Sequence, residues 1–537
     1  MNQALRSLVF ISMLCANVHI ASAQSSDTLL ARFIRYRKNI VHEKIFLHLD
    51  RTSYLTGETL WLKVYCVEAG TLSPIDLSRV AYIEIIDRSG KRALQTKIEL
   101  KDGKGNGAIF LPATLPSDNY TVVAYTSWMK NFPKEYFFHQ PVTIVNPFRA
   151  SDHVIAPKPA ADIDAQFFAE GGTILAGVDA RVAFRVVDQS GKGIDFTGVL
   201  KDDSGNTLAT FRPSRFGLGS FHATFEAGKR YVAEVTHGDG KVERVNLPEV
   251  QVTGYAMQVV EGDDQFDITV SASGFDEPLV FLFAHTNNQT IQCKSAFIKN
   301  GKAAFAIKKN SLKKGVTHLT LFNYSLEPVA ERLVYTRPDR TGTAHIKTDN
   351  SDYSPRRPLK IAVTLSDKTA RRYDASVSIF RKDSVPSFDH QAITSYLNFT
   401  SDLHGQIENP NYYFESGTAE DFDHVMLTHG WRKFSWEKIS RSDFTFRWLP
   451  EVEGPILEGT LLDETGKPAR NIGTYLSTPS KKIQLYTSVS DTAGNIRFTL
   501  SKLRGPRQIY LQTNFEKDSL YQFRLRSPFH ESPGSYT

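Results

Sequence analysis

Apolar and polar residues alternate with a period of two along most of this chain, and short clusters of Gly, Asn, Asp and Pro interrupt the alternation. A period of two sends successive side chains to opposite faces of a strand. The pattern is clearest over residues 43–65. There Ile45, Leu47 and Leu49 fall on one side and Phe46, His48 and Asp50 on the other. Beyond a polar Thr56-Gly57-Glu58 corner, Leu60, Leu62 and Val64 oppose Trp61, Lys63 and Tyr65. The reading is a hairpin that opens a β-sandwich, formed by residues 43–148.

The same rhythm continues downstream. Runs such as Val80–Ile86 and residues 120–125 are separated by Asp87-Arg-Ser-Gly90 and Lys101-Asp-Gly-Lys-Gly105, turn chemistry without intervening helix. A Pro/Ala-rich stretch at 151–162 reads as a linker. Further sandwiches are predicted at 164–253 and 254–338, and a fourth at 341–440. In the fourth, Asp352-Tyr-Ser-Pro repeats the logic of the opening hairpin, so the units read as tandem duplicates. Residues 390–439 break the rhythm with helical spacing, and a last sandwich is predicted at 454–527. Ahead of the first strand, residues 24–42 carry Leu29, Leu30, Phe33, Ile34 and Ile40 among Arg and Lys, the spacing of an amphipathic helix packed on the first sandwich. The fold class is mainly β: tandem immunoglobulin-like or macroglobulin-like β-sandwiches with a short helical insertion before the C-terminal one.

Residues 1–23 combine Arg6, an apolar run from Leu8 to Leu14 and the ending Ala21-Ser22-Ala23, the pattern of a secretory signal peptide. The run is too short to span a bilayer. Ser12-Met13-Leu14 lack the small residue expected beside a lipid-modified Cys15. Past the signal only Cys66 and Cys293 remain, which read as small buried hydrophobes and exclude a disulfide scaffold. With 41% hydrophobic and 23% charged residues the composition is ordinary, and a net charge of +6 without a basic block gives no support to nucleic-acid binding.

Tyr54, Gly57, Glu58 and Trp61 match a corner that resembles the opening of macroglobulin-type domains, found in alpha-2-macroglobulins and bacterial envelope proteins. Gly459, Asp463, Gly466 and Pro468, then Ser490-Asp491, Gly494 and Phe498, resemble the carboxypeptidase-regulatory-like module, with one extra residue in the second half. Together with residues 396–414 and 427–436, they make the chain resemble a bacterial family that joins macroglobulin-like repeats to such a module. Many members of that family continue into the plug domain of a TonB-dependent outer-membrane receptor. The resemblance implies an outer-membrane protein partner, a TonB-dependent transporter or an assembly complex. The chain reaches Thr537 without a plug, as a plugless member or a truncated one would.

Catalytic and metal motifs are few. Neither cysteine lies in a thioester loop, and there is no zinc helix, nucleophile elbow or calcium loop. Ser311-x-x-Lys314 lacks its partner motifs and reads as a solvated turn, and the glycines of residues 216–221 read as a tight turn. The i,i+5 pair His424/His429 splays around a helix, and Glu261-Gly-Asp-Asp264 reads as a polar turn. The candidate site is a protein-docking patch of Trp431, Arg432, Phe434 and Trp436, read either as an exposed platform or as a surface buried against a neighbouring domain. No catalytic residue, metal ligand or cofactor is expected. The expected function is a non-catalytic exported scaffold of the cell envelope, periplasmic, outer-membrane associated or on the cell surface. The alternatives are a secreted hydrolase or carbohydrate-binding accessory with a composite site, marked by a cleft where carboxylates converge, and a noncovalent macroglobulin-like protease inhibitor.

Overall fold

The computed structural model describes residues 27–149, 163–238, 240–275, 279–287, 289–339, 344–354, 356–366, 373–380, 390–430, 434–441, 444–479, 483–501, 505, 508–513 and 520–531. The signal peptide and the linker at 151–162 lie outside them.

Alternation becomes sheet from the first strand. Glu43–Leu49 pairs antiparallel with Thr59–Glu68, Leu49 opposite Leu62. Leu60, Leu62 and Val64 are buried while Trp61 is 61% exposed. The connection is more than a hairpin turn, because Ser53–Leu55 crosses to the opposite sheet and pairs in parallel with Phe138–Val145. Gly57 makes the corner with φ +88°, a value only glycine adopts freely, and the Glu58 carboxylate accepts the Leu55 N–H at 2.7 Å. A three-stranded sheet then faces a five-stranded one. Ile45, Leu47, Val64, Ile83, Ile85 and Val122 are among the residues that fill the core.

The second sandwich packs a three-stranded sheet (Ile163–Ala169, Asp179–Asp188, Leu218–Thr224) on a four-stranded one. Its core is phenylalanine-rich, with Phe184 and Phe221 lying 4.9 Å and 4.7 Å from Phe211. The third sandwich repeats the three-on-four plan with Gly254–Glu261, Gln265–Ser273 and Lys302–Lys308 against a sheet that contains Leu279–Thr286, Gly315–Phe322 and Pro328–Thr336. The C-terminal sandwich has two three-stranded sheets, among them Ile456–Leu462 and Gln522–Leu525.

One turn design recurs through these modules. Asp87, Asp188, Asp202, Asp463 and Asp491 each accept backbone N–H groups two and four residues ahead through Oδ1. The intervening residues 90, 191, 205, 466 and 494 are glycines at φ +74° to +84°. The aspartate satisfies donors that the reversing strand leaves unpaired.

Leu279–Thr286 is buried at every position. Val280, Leu282 and Ala284 face the sandwich core. Leu279, Phe281 and Phe283 point outward, where they meet Leu29, Phe33 and Tyr36 of helix α1, residues 27–39. The helix therefore lies mainly on the third sandwich, with Phe132 of the first at the margin, whereas the sequence reading places it on the first. That strand offers an apolar outer face to its Leu29, Phe33, Tyr36 and Ile40 stripe.

The fourth unit keeps the duplicated corner. Asp50 Oδ1 accepts the Tyr54 hydroxyl and the Trp61 N–H, four and eleven residues on. Asp349 Oδ1 accepts the Tyr353 hydroxyl and the Lys360 N–H at the same separations. Among the described residues, however, this unit supplies one two-stranded sheet, Ala344–Thr348 with Ile361–Leu365, whose Ile346 and Val363 are exposed. The neighbouring residues 373–380 bond to the first sandwich instead, Asp374 to Lys63 and Lys104 and Ser376 to His48 and Tyr65. The helical insertion follows as α2 (Ile393–Asn398), α3 (Pro410–Glu415), α4 (Ala419–Thr428) and α5 (Trp436–Arg441).

Glu43 is buried in the first sandwich, where its carboxylate accepts the hydroxyls of Ser78 at 3.0 Å and Thr126 at 2.5 Å. Burial pushes its carboxyl up to about 7, against the lowering effect of those hydroxyls. The folded group holds its proton through a window in which the unfolded one has released it, so stability falls as pH rises from about 4.5 to about 7. Glu43→Gln is expected to remove that fall, raising stability near pH 8 by roughly 3 kcal/mol and changing little near pH 4. Denaturant melts of both proteins at the two pH values check it.

Candidate functional site: the junction of two sandwiches and a helix

Helix α4 is placed by its ends and its stripe. Thr418 caps it, accepting the Asp421 N–H at 3.2 Å while the Asp421 carboxylate accepts the Thr418 N–H at 2.8 Å, a capping box. Phe422, Val425 and Met426 point into a cluster with Leu218 of the second sandwich and Val316, Leu333 and Tyr335 of the third. Tyr335 stacks on Phe422 with ring centroids 4.3 Å apart. The helix is thus wedged between two modules. Residues 216–221 take part, since Gly217 turns at φ +71° and Phe216 docks edge-on against Tyr412 at 5.4 Å. A Cβ on Gly217 would stand 2.0 Å from the Val186 carbonyl oxygen, so only glycine fits this tight turn.

Around the wedge runs a buried ion network. Arg332, 3% exposed on strand Pro328–Thr336, donates to Glu170 at 2.9 Å and to Asp423 of α4 at 2.6 Å. Arg181 of the second sandwich donates to the other Asp423 oxygen at 2.6 Å, and Glu170 also accepts the Val259 N–H at 3.1 Å. Burial works to raise the Asp423 carboxyl, but the guanidiniums of Arg332 and Arg181 outweigh it and hold it below the usual carboxylate range. A second buried pair ties the first sandwich to the helical unit: Lys44 donates to Asp402 at 2.7 Å and to the Leu397 carbonyl at 3.2 Å. Phe46, on the predicted polar face of its strand, is covered there by Tyr396 of α2 at 5.7 Å.

Two adjoining clefts, of about 740 Å³ and 640 Å³, open at this junction and share Glu261, Asp263, Lys309 and Ala419. Carboxylates converge on them, but several are already engaged. Glu170 and Asp423 hold arginines, Glu261 pairs with Lys309 at 2.6 Å, and Asp179 faces His222 at 2.9 Å. Tyr335 and Thr336 also line the larger cleft, and among the described residues their buried hydroxyl oxygens meet no hydrogen-bond partner. Residues 261–264 form the turn between two strands, with Gly262 N–H bonded to the Gln265 carbonyl at 2.8 Å. Among the described residues no group of three or more His, Cys, Asp or Glu is placed to hold a metal.

The other sequence candidates separate. Trp431 and Arg432 lie outside the described residues. Trp436 is 4% exposed and packs on Phe283 at 5.2 Å and Phe322 at 4.8 Å, so it offers no free platform. Phe434, half-buried, meets Trp436 at 5.1 Å and Phe33 at 5.6 Å. His424 lies 3.3 Å from Ser220 and His429 lies 2.9 Å from the neighbouring Thr428, so the pair does not converge. Burial drives His429 down to about 3. Ser311 bonds the Lys308 carbonyl while Lys314 pairs with Asp339. Cys66 and Cys293 are free thiols, and burial pushes Cys293 up to about 12. The residues that tie the modules together, Arg332, Glu170, Asp423, Arg181, Lys44 and Asp402, carry no motif. Their partners stand 91 to 358 residues apart in sequence, and Arg332 sits beside Glu331 in an ordinary strand pattern that gives no sign of its burial.

No protein-family model matches the chain. No curated protein sequence matches it. Solved structures resemble it at low identity. The native conformation of E. coli alpha-2-macroglobulin is 9% identical over 60% of this chain and 25% of that one, with a TM-score of 0.17. Salmonella alpha-2-macroglobulin reacted with methylamine is 13% identical over 60% of this chain and 25% of that one, at 0.16. A tetra-tandem repeat from the extending region of a large adhesion protein is 11% identical over 90% of this chain and 99% of that one, at 0.16. The chain spans 25% of the length of each macroglobulin, and the likenesses are of fold alone.

Arg332→Met is expected to strand the buried Glu170 without its cation, leave Asp423 to Arg181 alone, and cost about 3–5 kcal/mol. Adding Glu170→Gln and Asp423→Asn should recover most of it. Denaturant melts measure the cost, and amide exchange across Ala419–Thr428 reports whether the helix has come away.

Proposed function

We propose that this chain is a non-catalytic, exported scaffold of the bacterial cell envelope that holds β-sandwich modules at set distances and engages an outer-membrane TonB-dependent transport or assembly complex. The observation that carries the scaffold reading is the use of buried charge. Arg332, Glu170, Asp423 and Arg181 spend their hydrogen-bonding capacity on one another across modules. A general acid or base needs a carboxylate free to exchange a proton with substrate, and these are engaged in fixing geometry. The envelope address rests on the signal-like residues 1–23, and the choice of partner rests on the family resemblance alone. A pull-down with the full chain from solubilised outer membranes is expected to retain a β-barrel protein. Recovery of none would remove the transporter reading.

A second reading, carbohydrate binding at the junction, is favoured by the open larger cleft of about 740 Å³, where the exposed polar side chains of Asn310, Lys308 and Arg337 stand together. On this reading an oligosaccharide panel raises the melting temperature of the native chain, and Asn310→Ala abolishes the rise without destabilising the free protein. No response from any sugar would leave the scaffold reading alone.

A further inference from the structure

A second buried polar face lies outside the junction, on the five-stranded sheet of the first sandwich. Tyr82 of Val80–Ile86 stands opposite Lys97 on one neighbouring strand and Tyr125 on the other. Tyr82, Glu84 and Tyr125 are 1%, 0% and 0% exposed. A sheet face of this polarity is ordinarily wet. Here it is covered in part by Trp448 and Glu451, the latter accepting the Tyr82 hydroxyl at 2.8 Å, and over the rest by residues 528–530, just past the last strand, Gln522–Leu525.

The covering segment is held as a bound peptide is held. Lys130 donates to the Pro528 carbonyl at 2.7 Å. The Tyr125 hydroxyl accepts the His530 N–H at 2.8 Å, and Arg92 donates to the His530 carbonyl. Phe529 stands edge-on to Tyr82 at 5.2 Å with Lys97 at 6.0 Å, and the His530 ring stands against Phe137 at 5.3 Å. Main-chain groups gripped by side chains and one aromatic anchor are the elements of extended-peptide recognition. The floor is complete without the segment. Glu84 is held by Arg92 at 2.8 Å, by Gln95 at 2.7 Å and by Tyr125, and Lys130 keeps Trp448 at 3.6 Å. Lifting the strap therefore strands no buried charge.

We propose that this face is a docking site for an extended proline–aromatic–histidine segment of a partner polypeptide, and that residues 527–531 are its resident, autoinhibitory occupant. Arg526 and Ser527 alone join the last strand to Pro528. They span about 7 Å, too little for the strap to reach a second copy by itself. A tethered occupant competes at an effective concentration of about a millimolar, so the site opens only when the strap is weakened. This inference is independent of the transporter and carbohydrate readings.

The test titrates a fluorescein-labelled Ser-Pro-Phe-His-Glu peptide against the full chain and against Phe529→Ala, with anisotropy as the readout. Phe529→Ala is expected to bind at least tenfold more tightly than the native chain, and adding Lys130→Met to reverse the gain. Equal binding to both proteins, or a gain that survives Lys130→Met, overturns the proposal. Native-state amide exchange gives a check without any variant. His530 N–H should exchange far faster than Val80–Ile86, and equal protection would show a strap that does not lift.

Discussion

Arg332 is the constraint on which the middle of the molecule depends. A guanidinium taken out of water on a strand is a heavy cost unless carboxylates meet it at hydrogen-bonding distance. The two that do so come from the loop at Glu170 and from helix α4 at Asp423, and Arg181 then completes Asp423. Second sandwich, third sandwich and helix are bound to one relative placement, because a shift of any of them would leave an ion buried without a partner. Apolar contact around Phe422 and Val425 supplies adhesion there, but it tolerates sliding in a way that a shared carboxylate does not.

Outer sheet faces are the second theme. A sandwich needs one buried face per sheet, and here several sheets bury both, some apolar and one polar. Leu279, Phe281 and Phe283 are covered by α1 and Trp436, Phe46 by Tyr396, and the tyrosine-rich face of the first sandwich by residues 528–530. Each cover is a short segment from far along the chain. The modules are therefore not independent beads, and the surfaces suited to a partner are those whose covers are small and whose floors are self-satisfied.

Much of the local structure was legible because it is written in neighbouring residues. The alternation at 43–65, the Asp-x-x-Gly turns and the tyrosine corner repeated at Tyr54 and Tyr353 each act within about a dozen residues, the range over which backbone stereochemistry and side-chain capping operate. The candidate site was legible only in part. Aromatic density at 431–436 pointed to a cluster other than the junction, and exposure is a property of what lies opposite: Phe283 and Phe322 lie opposite Trp436. Lys44 and Asp402, separated by 358 positions, share no local signal at all.

The amino-acid order by itself determined that this is a mainly β chain of tandem sandwiches with a helical interruption, because strand period, turn glycines and helix stripes are set by interactions between near neighbours. Tertiary structure alone decided which faces are covered, which charges meet, that α1 belongs to the third module, and that Trp436 is interior. Those outcomes depend on apolar area and charge brought together from distant segments, and the chain acquires them only when its modules pack.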